Sequence, residues 1–211
     1  MLSLMMLYQL RREIGNAGEQ ATAVLRLSSE HGFAALTPLS AFIRAWARTE
    51  YNCSPDRVAE MRQALADTRA ISVETYEATY LTLLGERLAG AQQADEGLNR
   101  IEEALVVVGH EGRSWYEADV HRMKGELLLK RDATATRLAE ECFRSALEIA
   151  RRQSAKSFEL RAAISLSRLL ANQDRRDEAR TMLAEIYGWF TEGFDTPDLK
   201  DAKTLLEELQ S

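Results

Sequence analysis

Proline is scarce in this chain: Pro38, Pro55 and Pro197 are the only three among 211 residues. An all-β protein needs more turn punctuation than that, so the shortage favours helices. Cysteine is scarcer, and Cys53 and Cys142 stand too far apart for zinc or redox spacing. They read as small apolar groups in a reducing cytoplasm. Long apolar runs are missing too. The N-terminal MLSLMMLYQL is about half the length of a membrane span. It has no basic lead and no small-residue cleavage site, so it reads as part of a buried helix rather than a signal peptide. A basic excess is also lacking. The net charge of −6 argues against nucleic acid, and the Arg-Arg pairs at 11–12, 151–152 and 175–176 read as solvated helix surface.

Chemistry-bearing constellations are equally thin. The histidines are His31, His110 and His121, with no pair at metal-ligand spacing. Gly85 to Gly90 (GERLAG) has a superficial phosphate-loop spacing, but no Lys-Ser or Lys-Thr follows and the segment lies within a helical pattern. Adjacent carboxylates such as Glu102-Glu103 and Glu140-Glu141 splay to different sides of a helix. Cys142 has no evident base beside it. No enzyme activity, cofactor or metal is expected.

What the sequence does contain is a repeat. The triplet Gly97, Ile101, Ala104 has a spacing of four then three, and it returns at Ala139, Phe143, Ala146 and at Ala179, Leu183, Ile186. Weaker copies stand upstream at Arg57, Met61, Ala64 and at Ala17, Ala21, Val24. The leading members are separated by 40, 40, 42 and 40 residues. About a dozen residues before each lies a companion stripe with a small residue, at Ala45, Gly85, Gly125 and Ser167. Mid-helix glycine costs about 1 kcal/mol against alanine, and is tolerated where another helix axis comes within roughly 8–10 Å. Small residues recurring at one stride therefore predict stacked helical hairpins. Ala139 and Ala146 face neighbouring helices at close range, Phe143 fills the gap between them, and Ala104 and Ala64 hold the places of Ala146 in other repeats.

The expected architecture is all-α, a right-handed α-α superhelix of about five helix pairs. The pairs fall at residues 1–32, 36–70, 74–109, 115–152 and 158–188, and a capping helix follows at 196–210, all in one domain. Gly32 and Gly112 suit left-handed helix ends. Thr196 is placed as an N-cap, Pro197 as the first helical residue, and Asp198 as a complement to the helix dipole.

The succession of small residue, then alanine, bulky apolar residue and alanine resembles the tetratricopeptide repeat. The stride of about 40 exceeds the usual ~34, and the proline that commonly ends the second helix is absent. WYEADVHRMKGELLL (Trp115 to Leu129), CFRSALEIARRQSAKSFELRAAISLSRLL (Cys142 to Leu170) and YGWFTEGFDTPDLKDAKTLLEEL (Tyr187 to Leu209) resemble a more specific group. This is the C-terminal repeat region of large bacterial proteins with AAA- or STAND-type ATPase modules, often fused to a class III adenylate/guanylate cyclase. The likeness is strong from Trp115 onward and looser back to Tyr8. It implies a regulatory repeat arm for a signalling system. No catalytic residue carries over, because those domains lie outside this sequence.

First-helix residues are expected to line a concave groove. They are Leu39, Phe42, Trp46, Thr49 and Glu50; then Thr79, Thr82 and Glu86; then Asp119, Arg122, Glu126 and Lys130; then Arg161, Ile164, Arg168 and Asn172. The groove would run from an aromatic end at Trp46 to a basic end at Arg161 and Arg168. It would accept a protein or peptide segment with an apolar anchor and an acidic group, unless Trp46 packs within its repeat and the arginines are merely solvated. A metabolite in the same groove is the alternative. Leu2, Leu4, Met5 and Leu7 lack part of their cover in this scheme, which points to self-association through the N-terminal helices or docking onto an ATPase/cyclase domain.

Overall fold

A computed structural model describes the chain except residues 51, 52, 72, 73, 112–114 and 211; residues 74, 110 and 111 are described by their backbone alone. The described residues form eleven α-helices and no strand. In order they are α1 (Leu2–Leu10), α2 (Ile14–His31), α3 (Leu36–Thr49), α4 (Pro55–Ala70), α5 (Glu77–Gly90) and α6 (Ala94–Glu111). There follow α7 (Glu117–Arg131), α8 (Thr136–Arg152), α9 (Lys156–Ala171), α10 (Arg176–Tyr187) and α11 (Pro197–Glu208). A short 3-10 turn, Glu74–Tyr76, precedes α5. Two compact units divide the chain, Met1–Val107 and Val108–Ser211.

Local chemistry accounts for the helix ends. Pro55 and Pro197 occupy first helical positions behind Ser54 and Thr196, whose backbones are extended. Gly32 closes α2 in the left-handed conformation, φ 72°. Gly112 lies outside the described residues. Four other left-handed positions carry side chains: Arg12, Gln92, Ser154 and Asp174, with φ between 55° and 61°. Each precedes a residue whose N–H reaches back five residues to the ending helix: Glu13 to Tyr8, Gln93 to Leu88, Ala155 to Ala150 and Arg175 to Leu170, at 2.8–2.9 Å. The helices thus turn back through one repeated closure, without the glycine that usually supplies it.

Thr196 holds the N-cap position, but its hydroxyl donates to the Gly193 carbonyl at 2.7 Å instead of accepting from the first turn. The tight bend at Gly193, φ 76°, brings that carbonyl into reach.

In the first unit, the repeat packing is close at Gly85 of α5. A Cβ there would stand 2.9 Å from the Gly97 carbonyl oxygen and 3.2 Å from Ile101. Ile101 and Ala104 are fully buried, and Ala45 and Ala64 nearly so. In the second unit, Gly125 of α7 underlies the Phe143 ring, whose Cε1 would be 2.5 Å from an added Cβ. Ala139, Phe143, Ala146 and Ala150 are all completely buried. Ser167 of α9 plays the same part with a hydroxyl, which donates to the Ala179 carbonyl at 3.1 Å. Leu199, Ala202, Leu205 and Leu209 of the last helical segment join the core of α8, α9 and α10.

Two substitutions test this packing by equilibrium unfolding. Ala146→Leu should overpack the α7–α8–α9 contact and lower stability by about 1–3 kcal/mol. Gln92→Gly should raise it by up to about 1 kcal/mol, because it relieves a left-handed side chain. A neutral Ala146→Leu would mean that this helix face is misassigned.

Candidate functional site

The first-helix residues form two different surfaces. In the Met1–Val107 unit, Phe42 is completely buried and lies flat on Tyr80, with ring centroids 4.1 Å apart and planes 8° from parallel. The Tyr80 hydroxyl donates to the Leu39 carbonyl at 3.0 Å. Trp46 is only 3% exposed, with the Arg87 guanidinium 5.6 Å from its ring centroid. Phe42 and Trp46 are therefore part of the packing between α3 and α5. Arg87 in turn reaches Glu50, which is exposed, at 3.3 Å. The Cys53 thiol donates to the Arg87 carbonyl at 3.3 Å, tying the segment before α4 to the same place.

Thr49 and Thr82 are buried, and their hydroxyls donate to the carbonyls of Trp46 and Ala78. Thr79 is buried and Glu86 half-buried. Two donors at this end lack an acceptor: Trp46 Nε1 and Arg87 Nε make no hydrogen bond. A buried donor left in that condition costs about 1–3 kcal/mol.

The Val108–Ser211 unit is the opposite case, because the polar groups of its first helices satisfy one another. Asp119 of α7 accepts from Arg122 Nε at 2.6 Å and is hydrogen-bonded to the Tyr116 hydroxyl. Burial alone would raise the Asp119 carboxyl, but Arg122 and Arg161 outweigh it and hold the pKa at about 2. Burial likewise pushes Tyr116 well above the usual phenol range. Arg161 of α9 is 5% exposed, donates to Asp198 of α11 at 2.7 Å, and lies 5.5 Å from the centre of the Phe158 ring. Arg168 pairs with Asp201. Ser165 donates to Glu126 at 2.5 Å. Lys130 and Asn172 are exposed, and Ile164 is buried.

The basic end expected from the sequence is thus met by the chain's own acid. Asp198 is committed to a buried ion pair, beyond any role at the start of α11. The positive charges of Arg122, Arg161 and Arg168 face the negative charges of Asp119, Glu126, Asp198 and Asp201 on α7 and α11. These acidic partners stand 33 and 37 residues from Arg168 and Arg161, beyond any local pattern.

Second-helix ion pairs also went unread. Arg62 grips Glu96 through two 2.8 Å contacts, and Arg69 meets Glu77 and Glu103. In the other unit Arg144 and Arg175 share Glu140 and Glu178. The signal was available as Arg and Glu placed 34 residues apart on successive second helices. A cavity of about 430 Å³ opens between α4 and α6, lined by Arg62, Leu65, Ala66, Arg69, Leu84, Glu96 and Arg100. Its arginines each pair with a glutamate, Arg100 with Glu103 at 2.8 Å, while Arg100 Nε is left without an acceptor. Among the described residues, no three His, Cys, Asp or Glu side chains are grouped to hold a metal ion. No described helix is long and apolar enough to cross a membrane.

No family model matches the sequence, and no curated protein matches it. Solved structures do. BtubC (BKLC) from P. vanneervenii superposes with a TM-score of 0.67 at 15% identity, over 95% of this chain and 89% of that one. The apo form of RapI gives 0.61 at 14% identity, over 99% and 81%. A Podosopora anserina protein with nearly identical TPR-like repeats, described as a kinesin light chain, gives 0.58 at 14% identity, over 89% and 91%. The chain has a tetratricopeptide-like, all-helical repeat fold. At 14–15% identity the likeness is one of fold.

The Asp119 network has a pH signature. Its carboxyl is depressed in the folded protein, so its contribution is present above about pH 4 and disappears as pH falls through about 2. The shift corresponds to about 2 kcal/mol at neutral pH. Asp119→Asn should be less stable than the parent by about that amount at pH 7, with the gap closing near pH 2. Denaturant unfolding across this range measures it, and a gap independent of pH would contradict the assignment.

Proposed function

We propose that this chain is a non-catalytic protein-interaction module whose recognising end is the Trp46–Arg87–Glu50 corner of the first unit. The observation that carries this reading is the pair of donors without acceptors, Trp46 Nε1 and Arg87 Nε, beside exposed Glu50. Both atoms are buried, so a carbonyl or carboxylate of a bound segment would satisfy them once the Arg87 side chain swings off the Trp46 ring, and pairing at a desolvated position is where interfaces gain most of their affinity. Arg87 is the partner that would have to move, and it is half-buried and held by the Trp46 ring and by Glu50 at its outer end. Thr82 and Glu86, on the same helix, extend the surface along α5.

Lys130, Arg168, Glu126 and Arg122 form a secondary surface in the other unit. Together with Asp119 and Asp201 it is polar and close to neutral, which suits register and exclusion of wrong partners more than attraction of a strongly acidic segment. Arg161 is a structural residue in this reading. The tetratricopeptide-like fold supports a scaffold whose rigid helices present side chains.

The wider context is the one implied by the sequence resemblance. The module is a regulatory arm for an ATPase- or adenylate cyclase-type signalling protein, acting in the cytoplasm through a protein partner. The small-ligand alternative has less to stand on, because the cavity of about 430 Å³ lies among second-helix residues whose charges are already paired.

The test begins with affinity capture from native lysate and continues with titration of the identified partner. Arg87→Ala should weaken binding at least about tenfold, since hydrogen bonds to charged groups contribute about 1.5–3 kcal/mol. Lys130→Ala with Arg168→Ala should change it by less than about threefold, as exposed charges usually do. Melting temperatures of all variants are measured alongside. Full affinity in a folded Arg87→Ala protein would defeat the assignment of this corner.

A further inference from the structure

The repeat supplies an internal comparison for the cavity between α4 and α6. Each residue on its wall has an equivalent 82 positions further on, in the stride that carries Gly85 to Ser167 and Ile101 to Leu183. Five of the seven are the same residue at both places. Arg62, Arg69 and Glu96 match Arg144, Arg151 and Glu178, and they pair alike. Arg62 meets Glu96 as Arg144 meets Glu178, and Arg69 meets Glu77 as Arg151 meets Glu159. Leu65 and Leu84 match Leu147 and Leu166, all four buried. This shared set is repeat packing, and no ligand is needed to account for it.

Two places differ: Ala66 stands where the second unit has Glu148, and Arg100 where it has Met182. In the second unit Met182 packs against the core, and Glu148 is exposed. In the first unit a guanidinium takes the place of the methionine, and a methyl group that of the carboxylate. Losing an acid and gaining a base both make this spot more positive than its equivalent, and the alanine leaves room. The result is a cavity of about 430 Å³ with three arginines and one glutamate on its wall. That volume lies within the range of small-ligand sites.

The glutamates do not exhaust the arginines. Among the described residues Arg62 donates through Nη2 alone, to Glu96, and Arg100 through Nη1 alone, to Glu103. A guanidinium carries five N–H donors in a fixed fork, so most of theirs remain open. Arg100 is half-buried, and its Nε is out of reach of solvent without an acceptor. Its charge is therefore partly desolvated, and an oxyanion at its outer nitrogen Nη2 is held more strongly than at a wet surface. Leu65, Ala66 and Leu84 add hydrocarbon to the same wall.

We propose that this cavity binds a small organic oxyanion, a carboxylate or a phosphate monoester with a short apolar body. Arg62 and Arg100 take the head group, whose oxygens match the guanidinium fork. Leu65, Ala66 and Leu84 cover the body. The site does not depend on the Trp46–Arg87 corner, and either reading can fail without the other.

Chemical-shift titration of the full chain with hexanoate and with phenyl phosphate tests this, and the tighter of the two names the head group. Acetate and inorganic phosphate are the matched ions without an apolar body. The better organic probe should bind at least about tenfold more tightly than its matched ion, since each buried methylene contributes about fourfold. Arg100→Met and Ala66→Glu install the residues that the second unit already accommodates at these places. Each should weaken binding at least about tenfold, as loss of a charge-assisted pair or of the space predicts. Circular dichroism and the melting temperature without probe should stay near those of the parent. If neither organic probe binds below about 10 mM, the proposal is overturned. A matched ion that binds as tightly as the organic probe makes this a site for an adventitious ion only, which also overturns it. So does undiminished affinity in a folded Arg100→Met protein.

Discussion

One contact governs the structure: a bulky side chain from the second helix of a pair seats where the first helix has nothing, or almost nothing, beyond its backbone. Ile101 does this over Gly85, and Phe143 over Gly125. At Ser167 the same approach is close enough for a hydroxyl to reach the Ala179 carbonyl. Replacing a small residue by a larger one at these places moves two helix axes, not one side chain, because interiors are packed as densely as crystals. The rest of the architecture follows from repeating this contact at a nearly constant stride.

That stride was the most legible feature of the sequence, because it depends only on residue size and spacing. The fold class and the helix pairs could be read from it. Gly32 was legible as a helix end because glycine there has a single conformational reason to exist. Arg12, Gln92, Ser154 and Asp174 were not, since nothing about these residue types marks a left-handed turn. Their position in the repeat is the signal, and it appears only when the turns are compared with one another.

The candidate site was less legible, for a physical reason. Helical periodicity tells which residues share a side but not whether the neighbouring helix covers that side. Trp46 and Phe42 lie on α3, a first helix, and α5 lies across them. Arg161 and Arg168 looked like an unpaired basic end because Asp198 and Asp201 belong to a helix that the sequence presents as a cap. Charge neutralisation by a distant helix is invisible until the chain is folded. The functional emphasis therefore moves to the corner where Trp46 and Arg87 retain donors without acceptors.

The seating of Phe143 over Gly125 is the most direct place to test the central claim. A double-mutant cycle with Gly125→Val and Phe143→Ala, read by equilibrium unfolding, isolates it. Gly125→Val alone should cost at least about 1–3 kcal/mol through overpacking. In the Phe143→Ala background most of that cost should vanish, giving a coupling of about 1 kcal/mol or more. Additive losses would contradict the account, because Gly125 would then be small for some reason other than the ring above it.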